Sequence, residues 1–174
     1  MRFIIICGMI LTLFSACLGY CSKAGSGNYE QIADAITAET AKKLQKEKGL
    51  ILAGTGGKMM ADIQMMMMSF DYYHVVNLQT ARKLIASTVQ EYLSAINANE
   101  KIRPYLHEYP FTVKNVEISI VFFTPDGSDV ALNEITIASL NQGLITYYVD
   151  TPDKIKLKIL HTETYEEALK LDQK

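Results

Sequence analysis

Four consecutive methionines, Met65 to Met68, present thioether sulfurs, which are soft ligands suited to Cu(I). A copper site needs about three such sulfurs converging on one point, and the local spacing works against that. On a strand, Met65 and Met67 point to one side and Met66 and Met68 to the other, with same-side neighbours roughly 7 Å apart. His74 would lie roughly 20 Å from Met68 along such a strand. On a helix, only Met65 and Met68 share a side. The run extends through Phe70, Tyr72, Tyr73, Val75 and Val76, which favours a strand, and methionine fills irregular gaps in a core. Core filling is therefore the expectation, with an apolar ligand surface as the alternative.

The three histidines, His74, His107 and His161, sit in no metal-ligand pattern, so neither metal nor cofactor is expected. His107 alone has suggestive company. The stretch "RPYLHEYPF" gathers Arg103, Tyr105, His107, Glu108 and Tyr109 in one proline-stiffened loop, and arginine and tyrosine are frequent binding hot spots. Packing of the helix-to-sheet junction by Tyr105, Leu106, Tyr109 and Phe111 is the expectation, and a recognition surface is the alternative. "GTGGK" invites a phosphate-loop reading, but Leu52 stands where the first glycine is needed and Met59 where a magnesium-binding hydroxyl is needed. A mobile Gly54–Lys58 turn is expected instead, as a second recognition element. No serine elbow, His-Glu-x-x-His pair or Cys–His arrangement occurs. Enzyme status stays open, leaning against catalysis. A non-catalytic binding or envelope-associated module is favoured. The alternatives are an apolar-ligand carrier using the methionine strand and a small hydrolase using His107 or Glu108.

A chain of 174 residues with a formal net charge of −2 is long enough for one sizeable core and too poor in basic residues for nucleic acid. The partner's identity, protein or small molecule, is not encoded in any motif.

The opening "MRFIIICGMILTLFSACLGYC" has the order of a secretory signal: Arg2, an apolar run from Phe3 to Phe14, then small residues. Its "FSAC", Phe14 to Cys17, resembles the lipobox of bacterial lipoproteins, with Phe14 where leucine is usual. The resemblance covers only this leader. It implies cleavage before Cys17, lipid attachment to the Cys17 sulfur, and a domain held at a bacterial membrane outside the cytoplasm. More than one acyl chain is needed for stable anchoring, because each buried methylene adds about 0.8 kcal/mol. An uncleaved helical anchor, or cleavage after Ala24 to give a secreted chain, are the alternatives. Residues 1–16 are thus expected as signal peptide, 17–28 as lipidated cysteine and tether, and 29–174 as one domain. Cys21 would be a lone tether thiol.

These groups must be positioned by regular elements. Asn28 and Gln31 resemble a capping pair for a helix running to about Lys48, which Gly49 stops. A second helix follows Asn77, with Leu78, Ala81, Leu84, Ile85, Val89, Tyr92, Leu93 and Ile96 at helical intervals. Arg82, Lys83, Gln90 and Glu91 are placed to face water. From Asn115 the period becomes two, with turns at "TPDG", "NQG" and "TPDK" between strands, and Thr164 with Glu167 forms a capping box for a last helix. The order helix, two strands, helix, four strands, helix predicts an α+β domain. Its mostly antiparallel sheet has five to six strands, ends in a C-terminal meander, and carries helices on one face.

Overall fold

The computed structural model describes residues 27–153 and 156–172. The leader, Cys17 and Cys21 lie outside them. The elements run α1 (Gly27–Lys48), β1 (Ile51–Lys58), β2 (Met65–Tyr72), α2 (Leu78–Ala98), β3 (Val116–Phe122), β4 (Ile135–Asn141), β5 (Leu144–Asp150), β6 (Leu157–Thr164) and α3 (Tyr165–Asp172). A short 3-10 turn at Arg103–Tyr105 sits between α2 and β3. The result is the expected α+β fold, with a six-stranded sheet and three helices packed against it.

The sheet order follows the chain, β1-β2-β3-β4-β5-β6. Every neighbouring pair is antiparallel except β2 and β3, which run parallel because α2 crosses between them. The short turns hold the rest. Gln142 and Gly143 both have left-handed backbone, at φ 50° and 80°, as a two-residue hairpin turn requires. Asn77 caps α2 by accepting from the Thr80 N–H at 2.8 Å, and Gly49 closes α1 at φ 74°. The Thr164–Glu167 box forms reciprocally: Thr164 N–H donates to the Glu167 carboxylate at 2.8 Å, and Glu167 N–H to the Thr164 hydroxyl at 3.2 Å. Helix α1 already includes Gly27 and Asn28, which the sequence assigns to the tether.

One sheet face is covered by helices. Met66, Met68, Phe70, Val116, Ile118, Ile120, Phe122, Ala138, Leu140, Ile145 and Tyr147 alternate onto it and are buried. Tyr29, Ile36 and Leu44 of α1 and Ala81, Ile85, Val89, Tyr92 and Ile96 of α2 close over them. The Tyr92 hydroxyl, inside this layer, finds Thr37 at 2.8 Å, and burial raises its pKa well above the ordinary tyrosine value. Among the described residues, the opposite face has no helix. It carries two rows in register: Ser69, Ser119, Ser139, Thr146 and Thr162, then Val121, Ile137, Tyr148 and Ile159.

Two expectations are corrected. Gly54–Lys58 is not a turn but part of β1, paired with Ser69 back to Met65. Gly56 and Gly57, though not Gly54, sit where neighbouring atoms approach closely. A Cβ on Gly57 would lie 2.6 Å from the Met59 methyl and 3.0 Å from the Met65 carbonyl oxygen. Arg82 does not face water, because a carboxylate 81 positions further along the chain draws it inward.

Candidate functional site

The loop from Arg103 to Phe111 is built largely from bonds to itself and to the loop before β2. Ile63 N–H donates to the Tyr105 carbonyl at 2.8 Å, and His107 N–H to the Ile63 carbonyl at 2.8 Å. His107 Nδ1 lies 2.6 Å from Asp62 Oδ2, and this hydrogen bond holds the Asp62 carboxyl below its ordinary value. Tyr105 packs on the core, its ring 5.6 Å from that of Tyr29. The Arg103 guanidinium lies 4.5 Å over the Tyr109 ring, within cation–π reach. Glu108 accepts from Asn115 Nδ2 at 2.7 Å, and Asn115, itself buried, also accepts from Thr112 N–H at 2.9 Å. Asn97 clamps Phe111 on both sides, through its N–H at 2.8 Å and its carbonyl at 2.9 Å. The sequence-derived recognition residues Arg103, Tyr105, His107, Glu108 and Tyr109 therefore do come together. Most of their polar capacity is used in shaping the loop. His107 remains 59 % exposed, with Nδ1 committed to Asp62.

The methionine run divides as a strand divides it. Met66 and Met68 are fully buried under the helices, and Met65 and Met67 lie half-buried on the other face. The largest clefts described involve neither pair. One, of about 440 Å³ between α1 and β1, is lined by Glu30, Asp34, Thr37, Thr55 and Gly57 among others. Among the described residues, no group of histidine, cysteine and carboxylate ligands could hold a metal ion.

A second polar centre, absent from any sequence motif, lies where β5, β6, α2 and α3 meet. Glu163 on β6 is 4 % exposed and accepts from Arg82 Nε through both oxygens, at 2.7 and 3.0 Å. The buried Tyr147 hydroxyl donates to the same carboxylate at 2.7 Å. Burial first, then the bond to Glu163, raises the Tyr147 pKa far above normal, so the phenol stays protonated. His161 stacks on Tyr147 with ring centroids 5.9 Å apart, its Nε2 3.6 Å from Glu163 Oε2. Periodicity could not reveal this centre, since its partners come from three distant segments. At strand spacing Glu163 lies between His161 and Tyr165, so no alternation marks it.

Immediately outside this centre the sheet ends. β6 is a terminal strand, and its residues from Leu157 to Leu160 are all exposed. Leu157, Ile159 and Leu160 are 44 %, 58 % and 49 % exposed, with Leu171 of α3 at 45 % nearby in the chain fold. An open cleft of about 420 Å³ runs between the end of β6 and α3, lined by His161, Thr162, Glu163, Glu167, Lys170 and Leu171. A terminal strand leaves a row of backbone N–H and C=O groups without a strand partner, which is the template for adding another chain. The fold is an α+β domain in which β6, among the described residues, has a strand partner on one side only. No family model, no curated protein and no solved structure matches the chain.

Among the described residues, no helix is long and apolar enough to cross a membrane.

Proposed function

We propose that this chain is a non-catalytic binding module, held at a bacterial membrane outside the cytoplasm by lipid on Cys17, that captures a partner polypeptide in extended form along β6. The carrying observation is the terminal strand itself. Although β6 carries Lys158 and a register shift, both of which temper such an edge, it still exposes the large aliphatic side chains of Leu157, Ile159 and Leu160. The buried Arg82–Glu163–Tyr147 centre supports the reading by fixing β6 rigidly from behind, so that little order has to be gained on binding. The membrane tether rests on the leader sequence alone.

Two measurements test the two halves. A photo-crosslinking side chain at position 159 should yield polypeptide adducts in intact cells, and the same group at position 107 should not. Adducts from position 107 alone would move the function to the loop. Intact mass of the membrane fraction should carry the added acyl mass in the wild type and lose it in Cys17→Ser. Identical masses would remove the anchor.

One observation favours a second reading, a small hydrolase centred on the Arg103–Tyr109 loop. The 2.6 Å contact between His107 and Asp62 is the geometry of a base held by an orienting carboxylate. Hydrolysis of an activated ester that disappears in His107→Ala would support that reading over the binding module.

A further inference from the structure

We propose that the segment added to β6 alternates acidic and apolar side chains, and that it comes from a different polypeptide rather than from a second copy of this chain. This rests on the strand-addition reading above and specifies its partner.

The two sides of β6 differ in chemistry. Lys158 pairs across from Val149 and so lies on the helix-covered side, and Lys156 lies just before the strand begins. Both lysines are exposed, and no ion-pair partner is found for either among the described residues. The other side carries Leu157 and Ile159. Ile159 ends an apolar row that runs in register from Val121 through Ile137 and Tyr148. A strand laid outside β6 continues both patterns. Its apolar side chains extend the Val121–Ile159 row, and its intervening side chains sit beside Lys158, which has no ion-pair partner among the described residues.

Charge also excludes self-pairing. A second β6 strand offers Glu163 as its sole carboxylate, and that group is already held by Arg82 and Tyr147. The other free edge, β1, reads "ILAGTGGK" and offers no carboxylate. Neither edge of another copy supplies the complement, so the partner is an extended acidic–apolar segment from elsewhere.

The test uses the purified chain and three peptides of about ten residues, long enough to cover β6. They alternate valine with glutamate, with threonine or with lysine, and the readout is backbone amide exchange across β6. The glutamate peptide should slow exchange of β6 amides and bind on the order of tenfold more tightly than the threonine peptide, with the lysine peptide weakest. The double variant Lys156→Glu/Lys158→Glu changes only exposed side chains, and should reverse the order of the glutamate and lysine peptides. Equal protection of β6 by all three peptides would overturn the acidic preference and leave strand addition standing. No protection of β6 by any of them would overturn strand addition itself. Binding of Leu157–Leu160 to phosphatidylglycerol vesicles, with no peptide effect, would show a membrane-contact surface instead and equally sink the proposal. A concentration-dependent dimer that protects β6 without peptide would replace the foreign segment by a second copy.

Discussion

Two histidine–carboxylate pairs lie in different parts of this molecule, and they behave oppositely. Asp62 and His107 meet at 2.6 Å on the surface, within a loop whose polar groups largely satisfy one another. Glu163 is buried and shared by Arg82 and Tyr147, and His161 stands 3.6 Å away at the margin of an open cleft. In the loop, charge and aromatic residues near the surface hold one piece of irregular backbone in shape. At the sheet edge, the charge is sunk beneath the surface and stiffens a strand whose outer side stays unused. Concentration of eye-catching residue types marks the first region. A strand edge without a partner among the described residues, together with exposed aliphatic side chains, marks the second, and the proposed strand addition rests on these features.

The contrast can be broken most forcefully at Glu163. Replacing it by alanine leaves Arg82 without its carboxylate in a nearly dry site, and urea unfolding should register a loss of about 3–5 kcal/mol. Asp62→Ala, made at an exposed pair, should barely move the midpoint. If the two variants are equally harmful, the buried centre has no special structural role. Next in size is Asn115→Ala, which strips a buried amide that ties Thr112, Glu108 and the Gln64 carbonyl together, and should cost about 1–3 kcal/mol by the same measurement.

The two regions should also separate by pH. Asp62 has its carboxyl depressed, so its contribution is complete above the ordinary carboxylate value of about 4 and is lost as pH falls through the lowered one. Glu167, depressed by the Thr164 N–H, fades in the same direction, and Asp62→Asn isolates the loop's share. Tyr147 is shifted upward, so its contribution is complete below about pH 10 and disappears as pH rises further. Tyr147→Phe should therefore flatten part of the alkaline limb of a stability–pH profile and leave the acid limb unchanged. The smallest effect is expected at the edge. Ile159→Ser, at a 58 % exposed position, should shift stability by no more than about 0.5 kcal/mol while removing the crosslink-defined contact.

Much of this architecture is legible in the residues. Alternation from Val116 onward, the Asn77 cap, the Thr164–Glu167 box and the two-residue turn before Leu144 each express local chemistry, and each appears where its pattern lies. The Met66/Met68 and Met65/Met67 division follows from strand period alone. Local chemistry misleads at the β1 glycines, where flexibility suggests a turn. There the missing side chains instead admit the Met59 and Met67 methyls. It is silent about Arg82, which has helical spacing typical of a solvated face, until β6 brings Glu163 beneath it. Strand order decides which strand is left at the edge, and that is a property of the whole sheet, which no single segment carries.

The most direct measurement is amide hydrogen exchange, residue by residue, on the chain alone. The His107 and Phe111 amides, bonded to Ile63 and Asn97 at 2.8 Å, should exchange slowly although their loop is on the surface. Alternate amides from Leu157 to Thr162, those facing away from β5, should exchange fast although they lie in a regular strand. Uniform protection along β6 together with fast exchange through the loop would contradict the account, because the edge would already be covered and the loop would be the part left open.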